Sequence, residues 1–451
     1  MDYFANIPEY IKPIVDTGQP NQSIKIFEDA KFHIKTAKKE IVVTGNIEFK
    51  WFPQIGVYFE GSTEKFEHFM AEEENFKVLD PNGEDLGQAF IIREYSGSGE
   101  WFVKGVFAMD CNTGDPLIPV KEVRFVVPNM DKFDGLILKD ESKSYRGRIH
   151  FSFDGYSIIL DKLPDFENRI NALKKNGGYH ITYSGKMVLD NAVNLNDVRK
   201  KIEVLNCFLR FLNGKQVSAF FFTGIHDGEN IWQDFRSFPV EPYHERGYSC
   251  FPPNLRKDDI DSLGIVYANI QNFWKQEDQK AMIISAIGWY LEANTKPYYQ
   301  FDTSLIISQS ALEMFYNWLM IEKDKILRGK INLSAANKIR LLLARVGVKN
   351  EVPVTYSTLK KFISDTKNNK EEDAVDAIVL YRNAIVHGEY DKRLKLQTFT
   401  PTFKQEAKNL SIWYLELCIL YVLGYSGKYS NRTTAKYVTD SEVVPWNTAT
   451  I

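Results

Sequence analysis

The hydrophobic periodicity of the chain changes near residue 250, and this change constrains the fold more than any other feature. Between about residues 22 and 165, short segments rich in β-branched and aromatic residues alternate with turn sequences such as DPNGED and NTGDP, a pattern typical of antiparallel strands. After residue 259, apolar residues recur every three to four positions in long segments, as in amphipathic helices. The sequence therefore predicts an α+β protein, with an N-terminal antiparallel β-sandwich-like region and a C-terminal all-α helical bundle.

The domain boundary is expected in the segment VEPYHERGYSCFPPNLRKDD, which contains three prolines and little periodicity. A chain of 451 residues is also too long for one ordinary core. We predict a β-rich domain over 1–165, an α/β extension over 166–245, a linker over 246–258, a helical domain over 259–427 and a tail over 428–451. The extension is expected to contain a strand over 177–193 and a helix that begins at Asn194 or Asn196 and stops at Gly214. Seven helices are expected in the helical domain.

Cysteine usage and hydropathy predict a cytoplasmic protein. The four cysteines are far apart and form no CxxC pair, so neither a zinc ribbon nor a disulfide framework is indicated, and a reducing compartment fits best. The N-terminus lacks the basic and apolar regions of a signal peptide. The longest apolar stretch, SIWYLELCILYVLGY, is shorter than a membrane span and contains Glu416. We interpret it as a buried helix and expect no association with membranes.

Charge is distributed unevenly between the two halves of the chain. The net charge is −3, but residues 1–250 carry 30 basic and 37 acidic side chains, whereas residues 251–451 carry 26 and 22. Residues 323–370 alone hold twelve Lys or Arg against three acidic residues, which indicates a surface that could face a polyanion such as RNA. The residues selected as RNA-binding are Arg328, Lys330, Lys338, Arg340, Arg345, Lys360 and Lys361. A solvated helical face with scattered lysines is the alternative.

The segment LYRNAIVHGEY, residues 380–390, places three polar side chains in an apolar helical run. Arg382 lies inside a predicted buried stripe, where a guanidinium is costly unless it is paired, hydrogen-bonded or placed at an interface. The apolar members of that stripe are Val375, Ile378, Val379, Ile385 and Val386.

Asn383 and His387 are four residues apart and are expected to share a helix face, where the amide could orient the imidazole. Gly388 is expected to cap the helix, so that the negative end of the helix dipole favours the imidazolium. An arginine beside a proton-transferring histidine suits cleavage of RNA, in which the 2′-OH attacks the adjacent phosphate without a metal ion. A capping or surface histidine is the alternative for His387 taken alone.

The segment YRNAIVHG, following a long helix that contains SALEMFYNWL in a helical C-terminal domain, resembles the HEPN family (higher eukaryotes and prokaryotes nucleotide-binding domain). Active members carry Arg, four to six residues and then His, commonly with Asn after the Arg. The resemblance covers residues 260–425 and implies a dimeric, metal-independent endoribonuclease whose two motifs form one composite site. The N-terminal part, including GGYHITYSG and FLRFLNGKQ, is similar to that of ApeA-like anti-phage HEPN proteins.

Carried over to this chain, the resemblance implies Arg382, Asn383 and His387 as catalytic residues. It also implies an acidic residue at Glu313, predicted to pair with Arg382 or with the arginine of a dimer mate; an exposed helix residue is the alternative. The implied function is a toxin or anti-phage effector acting by abortive infection, with the β-rich region as sensor or regulator. Its implied partners are cellular RNA such as tRNA, further copies of the chain in a homodimer or higher oligomer, and a phage-derived protein trigger. No cofactor or metal is implied.

A second hypothesis comes from a different class of function. The helical region could be a non-catalytic nucleic-acid or protein interaction module attached to a β-sandwich that recognises a ligand. In that case the basic residues of 323–370 would matter and His387 would not. A further group of metal-ligand residue types occurs in FTGIHDGEN, residues 222–230, but this sequence is better explained as a hairpin turn.

Overall fold

The computed structural model divides the chain into two compact units. The first contains residues 1–206 and 217–245, and the second contains residues 207–216 and 246–451. The predicted α+β class is confirmed, with antiparallel sheets between residues 24 and 234 and helices between residues 257 and 422. The structure describes residues 10–447 except 37–38, 65–75, 98–99, 140–143, 154, 245–247, 296–299, 329–331, 367–372, 435–436 and 438.

Six strands of the first unit close into an antiparallel barrel in the order β1-β2-β3-β6-β5-β4. A barrel leaves no sheet edge open for pairing with another chain, and here β1 closes it by pairing with both β2 and β4. The strands are β1 Ile24–Lys35, β2 Glu40–Lys50, β3 Gly56–Thr63, β4 Phe76–Leu79, β5 Asp85–Gly97 and β6 Glu100–Phe107.

Eight further strands form an antiparallel sheet in the order β7-β14-β13-β8-β12-β11-β10-β9. The predicted antiparallel β-rich region thus consists of a closed barrel and an eight-stranded sheet, and the closure of six strands into a barrel was not predicted. The strands are β7 Asn112–Gly114, β8 Val120–Pro128, β9 Leu136–Lys139, β10 Ser144–Phe153, β11 Tyr156–Lys162, β12 Ile181–Val193, β13 Phe220–His226 and β14 Glu229–Asp234.

Aromatic side chains join the barrel to the sheet in one hydrophobic core. Phe49, near the end of β2, and Trp51, just after it, contact Phe220 and Phe221 of β13 with ring centroids 4.8–6.2 Å apart. Trp51 also stacks on Tyr179 at 5.2 Å. These rings bury large apolar areas, so they explain why the aromatic residues of this half of the chain form a shared interior.

The helix predicted after strand β12 is present. Helices α1 (Phe166–Asn176) and α2 (Leu195–Asn213) flank β12 in the chain. The side-chain oxygen of Asn194 accepts a hydrogen bond from the backbone amide of Asp197 at 3.2 Å, so Asn194 acts as the predicted N-cap. Gly214 follows α2 with a φ of +64°, the left-handed conformation that ends a helix and favours glycine.

The N-terminal segment is tied to the sheet through a buried histidine. The Thr17 hydroxyl lies 3.4 Å from His180 Nδ1, and the His180 amide donates to Asn129 at 3.1 Å. Nearby, Arg169 binds Asp16 and Asp165, each at 2.7 Å. Burial, followed by the charge of Arg169, lowers the pKa of His180 to about 4. The folded protein therefore holds this imidazole neutral.

We expect acid to destabilise the first unit through His180. The folded-state pKa lies below the ordinary value of 6.5, so the unfolded chain binds more protons between these values and stability falls as the pH drops through that window. The free energy of unfolding should fall by about 2–3 kcal/mol between pH 7 and pH 4.5. This decrease should be smaller in His180→Gln. Hydrogen exchange of the strand peptides measures it. The exposed His226, changed to Gln, is the control; an equal acid sensitivity of parent and His180→Gln would contradict the prediction.

The second unit is helical. Its α-helices are α3 Lys257–Phe273, α4 Glu277–Thr295, α5 Phe301–Tyr316, α6 Ala335–Val346, α7 Ser357–Thr366, α8 Ala374–Val386, α9 Tyr390–Thr398 and α10 Pro401–Val422. A π-helix, Asn317–Lys323, continues α5, and a 3-10 turn spans Pro445–Asn447. Two short strands, β15 Lys428–Tyr429 and β16 Glu442–Val443, pair with each other.

Between residues 257 and 422 the described ranges contain eight α-helices, one more than predicted. The additional helix is α9, which has no buried residue and therefore no apolar stripe to reveal it in the sequence. Helix α10 contains most of the long apolar stretch and is largely buried, as predicted, against α4, α5, α6, α7 and α8. None of the helices in these ranges is both long and apolar enough to cross a membrane.

A buried ion pair lies in the core of the helical unit. Glu416 of α10 is fully buried and accepts a hydrogen bond from Arg432 Nε at 2.9 Å and another from the Tyr290 hydroxyl at 3.0 Å. Arg432 also donates to Asn294 at 2.8 Å and lies 4.2 Å from the ring centre of Tyr248. Arg432 belongs to the predicted C-terminal tail, so this part of the tail is a component of the core.

Candidate active site

Helix α8, which carries the Arg-Asn-His cluster, is fixed at its N-terminus by a capping box. The Asp373 carboxylate accepts a hydrogen bond from the backbone amide of Asp376 at 3.0 Å. The Asp376 carboxylate in turn accepts one from the backbone amide of Asp373 at 3.3 Å. Arg340 of α6 binds Asp373 at 2.7 Å and also pairs with Asp376. The hydrogen bond to Asp373, followed by that to Asp376, raises the pKa of Arg340. These contacts anchor the start of α8 on α6.

Two contacts attach the middle of α8 to α5. The buried Gln309 amide donates to the carbonyl of Ile378 at 2.9 Å, and the Tyr381 hydroxyl donates to Asp302. Burial and the neighbouring Asp302 raise the pKa of Tyr381. Because Ile378 and Tyr381 lie within one turn of Arg382, these bonds set the position from which Arg382 extends.

Arg382 extends into a small pocket between α5, α6 and α8. The pocket has a volume of about 10 Å³ and is lined by Gln309, Glu313, Ala335, Lys338, Ile339 and Arg382, which is room for about one water molecule. Arg382 is partly buried, and its guanidinium donates a hydrogen bond to Asn383 Oδ1 at 3.2 Å. Within the ranges that the structure describes, no carboxylate pairs with it. A cation in this setting is available to bind an anion.

The buried stripe of α8 differs from the prediction in its last turn. Val375, Ile378 and Val379 are buried as expected, but Ile385 is half-buried and Val386 is 47% exposed. The buried face continues instead through Ala377, Tyr381 and Ala384. The prediction was wrong at this end because α8 leaves the core there, so apolar residues on its last turn face outward.

His387 lies at the exposed end of α8. It is the C-cap residue, and its amide donates to the Asn383 carbonyl at 3.2 Å. Gly388 follows with a φ of +27°, in agreement with the predicted helix stop. The side chain of Asn383 bonds Arg382 and not the imidazole, so the expected orientation of His387 by the Asn383 amide is not what this conformation shows. Asn383 is instead a partner of the arginine.

Glu313 is found beside Arg382 but pairs with another cation. Its carboxylate binds Lys338 Nζ of α6 at 2.5 Å, and both side chains line the Arg382 pocket. The predicted pairing of Glu313 with Arg382 is therefore wrong for a single copy of the chain. Glu313 lies one turn after Gln309 on α5, so the spacing of four residues between two polar side chains in SLIISQSALEMF could have revealed both pocket residues.

Several residues predicted to bind RNA are engaged within the chain. Lys338 binds Glu313, Arg340 binds Asp373 and Asp376, and Arg345 binds Asp324 at 2.7 Å. These carboxylates neutralise the cations, so the run of positive charge in the sequence is not a continuous free surface. Arg328, Lys360 and Lys361 are exposed, and Lys330 lies outside the described residues.

The FTGIHDGEN segment forms the predicted hairpin turn. It joins β13 and β14 through Asp227 and Gly228, whose φ angles are +49° and +89°. Positive φ angles at both central residues are typical of a type I′ turn. The described residues contain no group of three or more His, Cys, Asp or Glu side chains arranged to hold a metal ion.

The fold and site define an α+β protein with a barrel-and-sheet N-terminal unit and a helical unit that presents a cationic pocket. Residues 115–246 match the YopA central domain, and residues 276–443 match the YopA C-terminal domain, which includes every residue of the pocket. The chain is also similar to the SPbeta prophage-derived uncharacterized protein YopA of Bacillus subtilis (strain 168), with 27% identity over 443 residues, covering 95% of this chain and 96% of that protein. No solved structure matches the chain.

Proposed function

We propose that this protein is a metal-independent endoribonuclease of the HEPN type. The observation that supports this most directly is Arg382, a partly buried cation that lines a pocket and donates a hydrogen bond to Asn383. In the proposed reaction the 2′-OH of RNA gives up its proton to water and attacks the adjacent phosphorus, and the bond to the 5′-oxygen breaks. Arg382 stabilises the charge on the phosphoryl oxygens, and His387 gives a proton to the leaving 5′-oxygen.

The relative positions of Arg382 and His387 support a site made by two copies of the chain. Five residues on a helix correspond to about 7.5 Å along the axis and about 140° around it, so the two side chains leave α8 in different directions. A second copy could supply the histidine that faces the first copy's arginine. The exposed apolar residues next to His387, namely Val386, Tyr390 and Leu394, are 44–67% exposed and suit such an interface.

The proposed cellular role is that of a toxin or anti-phage effector in the cytoplasm. The Bacillus subtilis relative is named as prophage-derived, and a prophage-borne ribonuclease fits competition between phages or defence of the host. The four free cysteines are buried, in keeping with a reducing compartment. In this proposal the barrel-and-sheet unit detects a phage-derived protein and controls the nuclease, and cellular RNA such as tRNA is the substrate.

Incubation of the purified protein with total RNA and tRNA in EDTA tests the reaction class. We expect cleavage in EDTA, fragments ending in 2′,3′-cyclic phosphate and 5′-OH, and no cleavage by His387→Ala. His226→Ala is the matched control, because His226 is an exposed histidine of the other unit. End-group analysis of the fragments, with and without added divalent cations, provides the measurement.

Two outcomes would contradict the proposal. Products ending in 3′-OH, formed only with divalent cations, would indicate a metal-dependent mechanism. RNA binding without cleavage, unchanged in His387→Ala, would indicate the non-catalytic interaction module. The ion pairs of Arg340 and Arg345 count against that alternative, because they engage part of the charge on which it depends.

A further inference from the structure

We propose that the Arg382 pocket is a binding site for a nucleic-acid phosphodiester, completed by Lys338 and the first turn of α6, and that Glu313 closes it when no ligand is present. This inference deepens the proposed function, since it adds phosphate-binding groups beyond the Arg-Asn-His cluster and a carboxylate that competes with the substrate. It concerns binding, so it can be tested separately from cleavage.

The pocket wall includes the N-terminus of a helix. Ala335, the first residue of α6, lines the pocket together with Lys338. The Ser334 hydroxyl accepts a hydrogen bond from the backbone amide of Asn337 at 3.3 Å. The Ser334 backbone carbonyl accepts one from the amide of Lys338 at 3.0 Å. These bonds leave the amides of Ala335 and Ala336 with no acceptor in the described part of the chain. Free amides and the positive end of the helix dipole both favour an anion at this position.

The charges around the pocket are unbalanced. Arg382 and Lys338 provide two positive charges, and Glu313 provides one negative charge. Of these, Lys338 is bound to Glu313 at 2.5 Å and lies 5.8 Å from the ring centre of Tyr316. A net positive charge beside a helix N-terminus is the electrostatic setting that a phosphate prefers.

In the present conformation the Glu313 carboxylate is the anion that Lys338 binds. The pocket of about 10 Å³ does not enclose a whole phosphate group, and the Lys338 ammonium is held by Glu313. In the proposed site this pair separates when a phosphodiester binds. The Glu313 side chain is 44% exposed and that of Lys338 is 24% exposed. An ion pair at this exposure is weak, and rotation of Glu313 towards solvent would release Lys338 for the incoming phosphate.

The test is the affinity of the full-length protein for a 2′-O-methyl oligoribonucleotide, which has no 2′-OH nucleophile and stays intact. We expect Lys338→Gln to weaken binding about tenfold or more, because a charge-assisted hydrogen bond is lost. Glu313→Gln should tighten binding about two- to fivefold, as the competing carboxylate becomes neutral. Fluorescence anisotropy at several salt concentrations measures both, and the salt dependence should be shallower in Lys338→Gln.

Matched controls separate this site from general electrostatics. Lys275→Gln and Glu322→Gln remove exposed charges of the same kind from the same unit and should change the affinity less than about twofold. Equal effects of Lys338→Gln and Lys275→Gln, or no tightening in Glu313→Gln, would overturn the proposal. So would binding of inorganic phosphate without binding of the oligonucleotide. Thermal unfolding of each variant confirms that the fold is retained.

The two proposals can fail independently. Cleavage by the parent protein with an unchanged oligonucleotide affinity in Lys338→Gln would leave the nuclease standing and overturn the phosphodiester site. The expected affinity changes in a protein that cuts no RNA would support the phosphodiester site and remove the catalytic assignment.

Discussion

Replacement of Arg382 by Ala should lower the rate of RNA cleavage by about 10²–10³-fold, the effect of removing one group that stabilises developing negative charge. The fold should survive, because Arg382 has no carboxylate partner in the described ranges that would be left buried and unpaired. Arg382→Lys should also be strongly impaired, since an ammonium cannot reproduce the planar, bidentate contact of a guanidinium with two phosphoryl oxygens.

Single-turnover cleavage of a labelled RNA, with thermal unfolding of the same samples, measures this prediction. Arg93→Ala is a suitable control, because Arg93 is an exposed arginine in the barrel of the other unit. Full cleavage by Arg382→Ala at parental stability would exclude Arg382 from the reaction. A mixture of Arg382→Ala and His387→Ala proteins should recover part of the activity if each copy contributes one residue to a shared site, as the divergence of the two side chains suggests.

Breaking the buried ion pair between Glu416 and Arg432 should be the most destabilising change in the helical unit. Glu416→Gln or Arg432→Gln leaves one charged group without its partner, at positions where the side chains are 0% and 7% exposed. A loss of about 3–5 kcal/mol is expected for either variant. Because Arg432 comes from the last 20 residues of the chain, removal of this segment should have a similar effect.

Denaturant unfolding of the variants tests the ion pair, with Lys392→Gln as control because Lys392 forms an exposed pair with Glu389. The double variant Glu416→Leu with Arg432→Met should be more stable than either single variant, since no unpaired charge remains. A single variant within about 1 kcal/mol of the parent would show that water reaches this ion pair and that the segment around Arg432 contributes little to the core.

Local sequence patterns predicted the class of the fold and most of its helices. Alternating β-branched residues before the proline-rich segment and a period near 3.6 after it are properties of short stretches, so they can be read without knowing the fold. The same holds for the ends of α2 and α8, where Asn194, Gly214 and Gly388 act through neighbouring backbone groups. Helix α9 was missed because it buries no side chain and therefore has no pattern.

Closure of six strands into a barrel could not be predicted, because it depends on the pairing of β1 with β4, whose sequences are more than 40 residues apart. The partner of Glu313 likewise depends on how α5 and α6 pack. In the sequence, Arg382 and Lys338 were both visible as cations, and only the tertiary structure placed them in one pocket.

The sequence alone therefore determined the order of β-rich and helical regions, the position of the Arg-Asn-His cluster on a helix, and the end of that helix at Gly388. These features depend on hydrogen bonds and spacing within a few residues. The tertiary structure decided which charges neutralise each other, that Arg340 and Arg345 bind carboxylates, that Arg432 enters the core, and that Arg382 meets Lys338 and the start of α6. Charge pairing acts through space over a few ångströms, and residues distant in the chain meet at that range only after folding.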